Sequence, residues 1–80
     1  MALYFFDIYD DHNLRVDEVG VDLASVEQAC EEARQSLSDI AGDELYERGE
    51  HRSFLILVRD EQRAPVYTAT LNFTGLRLGS

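Results

Sequence analysis

Acidic side chains crowd the first quarter of the chain, where Asp7, Asp10 and Asp11 are followed at once by His12 and then by Asp17, Glu18 and Asp22. Hard divalent cations take several oxygen ligands at short range, so Asp10, Asp11, Asp17 and Glu18 are the candidates for binding a small ligand or cation. The run lacks the alternating ligands, central glycine and closing glutamate of a calcium loop, and Asp and Asn are also ordinary turn formers. No metal site is assigned. As a general base, His12 would need Asp10 or Asp11 to orient it and a nucleophile such as Ser53 or Thr74, and nothing in the spacing brings these together. His51 has no second His or Cys at metal-site spacing. Cys30 falls among apolar residues at helical spacing, where a buried, inert thiol is expected. There is no glycine-rich phosphate loop, H-E-x-x-H or C-x-x-C. The chain is not read as an enzyme, and no cofactor is assigned.

Charge sets further bounds. Sixteen Asp and Glu stand against seven Arg and no Lys, for a formal charge of −9. Such a field repels a phosphate backbone, which excludes direct contact with nucleic acid but not with a basic protein partner. No apolar run approaches the ~20 residues of a membrane helix. Met1 leads directly into a strand-like run containing Asp7 rather than into a secretory signal, so a soluble cytoplasmic protein is expected.

The positioning elements follow from periodicity. Residues 2–9 read as a strand and 10–13 as its turn, with a weaker strand over 14–21 that Gly20 breaks or bulges. Ser25 is the expected helix N-cap with Gln28 completing a capping box, and Val26, Ala29, Cys30, Ala33, Leu37, Ile40 and Ala41 form one apolar stripe. The helix ends at Gly42 or continues to Gly49. Strands over 52–59 and 66–73 flank a turn at 60–64, and residues 73–80 are expected to form a flexible tail. The expected fold is α+β: a single domain of order β-β-α-β-β, with one antiparallel four-stranded sheet and a single helix on one face.

One helix covers one face of a sheet, yet several strands are apolar on both. Phe5, Tyr9, Leu55, Leu57, Tyr67, Leu71 and Phe73 are the candidate interface, since exposing such a patch would cost an amount comparable to the stability of a small domain. A homodimer formed through the sheet is the first expectation, face to face or edge to edge, and a heterologous protein partner the second. Asp7 interrupts this face and needs a mate if buried, with Arg52 and Arg59 as the candidates. Glu27, Glu31, Glu32 and Asp39 make a solvated helix face.

On the residues "YFFDIYD" (Tyr4–Asp10), "DEVGVDL" (Asp17–Leu23), the Ala29, Glu32 and Ala33 pattern, "VRDE" (Val58–Glu61) and the late Phe73, the chain resembles a family of short bacterial proteins, a domain of unknown function that opens with a Tyr-Phe-Phe run. Members of that family often carry His or Asp at the position of Asp7, His or Arg at that of Tyr9, and Gly in the last hairpin turn, where this chain has Gln62 and Arg63. The resemblance implies a compact α+β fold and no activity. Within its pattern, Gly20 permits a backbone bend that Asp17 or Glu18 can tie down by accepting backbone N–H groups. Function is expected to be that of a small interaction or regulatory module. The alternative is a ligand- or metal-binding domain using the acidic first hairpin.

Overall fold

The computed structural model describes residues 1–11, 13–44 and 50–79. Five strands and one helix follow the order β1 (Ala2–Asp10), β2 (Asn13–Arg15), β3 (Val21–Leu23), α1 (Val26–Glu44), β4 (His51–Arg59) and β5 (Pro65–Thr74). Every strand pairing is antiparallel, giving a sheet of order β2-β1-β4-β5 with β3 also paired to β1. The fold is α+β, with one helix against an antiparallel sheet.

The strand expected over 14–21 is two short strands, both on the margin of β1 away from β4. β2 opposes Ile8–Asp10 and β3 opposes Ala2–Tyr4. Extending the register of β2 would put Asp17 opposite Phe6, whereas extending that of β3 would put Val19 there. The chain between them therefore holds extra residues and leaves the sheet, as the expected break at Gly20 anticipated. Gly20 itself has φ 81, and a Cβ there would lie 2.9 Å from Leu3 Cγ and 3.1 Å from Phe5 Cε1. A side chain there would be strained by the backbone and crowded by Leu3 and Phe5.

α1 begins where the cap is expected. Ser25 Oγ accepts the N–H of Gln28 at 3.1 Å, while the Gln28 side chain reaches back to the N–H of Ala24 at 2.7 Å, one residue beyond the usual capping box. Ala29, Ala33, Leu37 and Ala41, each one turn from the next, are its buried line. The small Ala side chains let the helix lie close to Phe54, Ile56 and Val58 of β4, none more than 1% exposed. Cys30 is only half-buried beside this line. α1 runs through Gly42 to Glu44, and the alternative end at Gly49 lies outside the described residues. No helix among the described residues is long and apolar enough to cross a membrane.

The second hairpin is longer than expected. Phe73, shared above between strand and tail, and Thr74, assigned to the tail, both belong to β5, and Gly75 still donates its N–H to the Glu50 carbonyl at 2.6 Å. The β4–β5 turn is built on Asp60, whose side chain accepts the N–H groups of Gln62 and Ala64. Arg63 completes it at φ 67, the left-handed conformation that a glycine would adopt at no cost.

Candidate functional site

Register decides which candidates share a face. Tyr9 opposes Leu55 and Leu14, and Asp7 opposes Leu57, so these residues lie together on the side away from α1. Phe54 opposes Leu71, Arg52 opposes Phe73 and Val58 opposes Tyr67, which puts Tyr67, Leu71 and Phe73 on the helix side. The expected interface set is thus divided between two faces.

Phe5 is on the open side and yet only 5% exposed. The bend at Gly20 closes over one part of its ring, and the guanidinium of Arg63 lies over the ring at 4.2 Å from the centroid. The unusual backbone of Arg63 thus aims a cation at an aromatic that the sheet alone would leave uncovered. What remains on the open face is Leu14, Tyr9, Leu55 and Leu57, among the hydroxyls of Thr68 and Thr70 and the polar pair Ser53–Asn72, which is joined by a side-chain hydrogen bond.

The acidic residues of the first hairpin do not converge. Asp10 and Asp11 both bind Arg52, at 2.6 and 2.5 Å, and Glu44 at the end of the described helix approaches the same guanidinium at 3.3 Å. Arg52 is 4% exposed because its position on β4 shares the core-facing parity of Phe54, over whose ring it also stacks. Its guanidinium is held above its ordinary pKa by the hydrogen bonds it donates to Asp10 and then Asp11. The same contact with Arg52 holds the Asp11 carboxyl below its ordinary value. His12, the remaining member of that turn, lies outside the described residues.

Asp17 works elsewhere. One oxygen accepts the N–H of Phe6 at 3.0 Å and the other those of Val19 and Gly20, each at 3.0 Å. Burial acts to raise this carboxyl, but the amides of Gly20, Phe6 and Val19 outweigh it and leave the pKa lowered. The N–H of Asp17 in turn donates to Asp7 Oδ1 at 3.0 Å, and Asp7 Oδ2 accepts Arg59 Nε at 2.6 Å. Of the two proposed mates for Asp7, Arg59 is the one used. Glu18 is exposed at the bend. Among the described residues no group of three or more His, Cys, Asp or Glu is placed to hold a metal ion.

A groove of ≈ 620 Å³ between α1 and β5 was not anticipated. Leu37 and Ala41 form one wall and Tyr67, Ala69 and Leu71 the other, while Arg34 at its rim hydrogen-bonds the Tyr67 hydroxyl at 3.5 Å. The parity of β5 carries the signal for it, but only once the register with β4 is known.

No curated protein and no solved structure matches the chain. The family model described as Domain of unknown function (DUF6894) matches residues 3–72, which takes in the whole of α1 and all five strands apart from Ala2 of β1 and the last two residues of β5. The chain belongs to this family.

Proposed function

We propose that this protein is a small non-enzymatic interaction or regulatory module of the bacterial cytoplasm that self-associates through its sheet. The observation that carries this reading is the mismatch between one helix and the sheet it serves. On the open side Tyr9 is 38% and Leu14 51% exposed, and on the helix side Leu71, at the outer margin, is 39% exposed. A second copy would remove from water whichever of these side chains it covers, at about 25 cal/mol per Å² of apolar surface.

Internal use of the acidic residues weighs against the alternative of a ligand or cation site in the first hairpin. The carboxylates of Asp10 and Asp11 are both engaged by Arg52, and that of Asp17 is occupied by main-chain donors. Sedimentation equilibrium at two concentrations well apart tests the reading: an apparent mass that rises toward twice the chain mass supports it, and a monomer at both concentrations refutes it.

A further inference from the structure

We infer that the self-association proposed above occurs edge to edge, by antiparallel pairing of β5 with the β5 of a second copy about a two-fold axis at Leu71. This rests on the self-association reading and specifies the surface that performs it.

β5 is ten residues long and pairs with β4 on one side only. The hydrogen bond from Gly75 N–H to Glu50 O fixes which main-chain groups face β4. In an antiparallel ladder these alternate, so Phe73, Leu71, Ala69 and Tyr67 turn their N–H and C=O groups inward. Thr68, Thr70, Asn72 and Thr74 turn theirs outward, where no strand among the described residues receives them.

Natural sheets guard an edge of this length with charge, proline or a bulge within the strand. Here Pro65 and the register shift at Val58/Arg59 stand at one end, and the remainder is unguarded. No Asp, Glu, Arg or His occurs from Ala64 to Leu76, the longest such interval in a chain that is 29% charged. The absence of charge also selects the occupant. A basic partner would gain nothing from a neutral edge when acidic surface is plentiful elsewhere. A second copy, itself at −9, can approach closely only where its own charges are missing.

One register leaves none of the four outward-facing residues unmatched: Thr68 opposite the partner's Thr74, and Thr70 opposite the partner's Asn72. Its axis passes through Leu71, which would meet the partner's Leu71 on the helix side, at the mouth of the groove between α1 and β5. The most exposed apolar side chain on that face of β5 thus becomes the centre of the contact.

Amide hydrogen exchange, followed residue by residue at dilute and concentrated protein, tests this without altering the chain. Exchange at Thr68, Thr70, Asn72 and Thr74 is expected to slow about tenfold or more at the higher concentration, with the intervening amides protected at both. Thr70→Pro removes an outward N–H and no bond to β4, so it is expected to weaken association by about tenfold or more while preserving the circular dichroism of the fold. Association that persists while these amides exchange at the same rate at both concentrations overturns the edge assignment and leaves self-association through the open face. A monomer at every concentration overturns both. If Thr70→Pro does not fold, the exchange pattern alone decides.

Discussion

The side chain of Asp17 accepts the main-chain N–H of Phe6 at 3.0 Å, in the place where a neighbouring strand would otherwise supply a carbonyl. β2 and β3 pair with the residues on either side of Phe6, and the bend between them is held by the same carboxylate through Val19 and Gly20. Asp17→Ala leaves a part-buried donor without a partner and is expected to destabilise the fold by about 1–3 kcal/mol in urea unfolding.

The same residue gives a dependence on pH. Its carboxyl is lowered from 3.8 in the folded chain, so its contribution is complete above that value and is lost as pH falls through the lower folded-state value. Stability of the wild type measured between about pH 5 and about pH 2 is expected to fall more steeply than that of Asp17→Asn. Equal slopes would mean that the amides do not favour the ionised form.

Asp7 is 1% exposed and is balanced by Arg59. Removing one member of such a pair leaves a buried charge, so Arg59→Ala is expected to cost about 3–5 kcal/mol. Asp7→Leu combined with Arg59→Met is expected to recover part of that loss, because no buried charge is left to solvate although the N–H of Asp17 loses its acceptor. A double variant as unstable as Arg59→Ala would show that shape rather than charge is at stake.

Arg52 holds Asp10 and Asp11 at the far end of β1. In Arg52→Gln the Asp11 carboxyl is expected to return toward its ordinary value of 3.8 from below, as read by NMR titration of its side-chain carbon. Asp17, tied to main-chain amides, is expected to remain lowered in that variant.

Arg63→Gly removes both a left-handed side-chain-bearing residue and the cation over Phe5. Relief of the turn at φ 67 and loss of the stacking contact oppose each other at about 1 kcal/mol apiece, so the net change in melting temperature is expected to be small while Phe5 becomes exposed. Gly20→Ala has no compensating gain and is expected to destabilise clearly, because its Cβ would meet Leu3 and Phe5.

Much of this was legible in the residues, for physical reasons that differ from one to the next. The spacing from Asp17 to Gly20 marks a bend tied by a carboxylate, since both partners are local. Alternation places Asp7 among apolar neighbours and so demands a cation. Choosing Arg59 over Arg52 needs the register between β1 and β4, which no local pattern encodes. The same gap divided the interface residues: one residue of slip exchanges the faces of a strand, and Tyr67, Leu71 and Phe73 lie on the helix side for that reason. Phe5 looked open because its cover comes from Arg63, distant in sequence and aimed by a backbone conformation that its residue type does not advertise.

The two margins of the sheet differ in what they allow. At the β2–β3 margin, runs of three residues are separated by the Asp17 bend, too short and too crooked to template another strand. The opposite margin, β5, is ten residues long. If two copies pair along β5 as proposed, each is left presenting only its blunted β2–β3 margin, and the architecture would then supply a built-in stop against fibril formation.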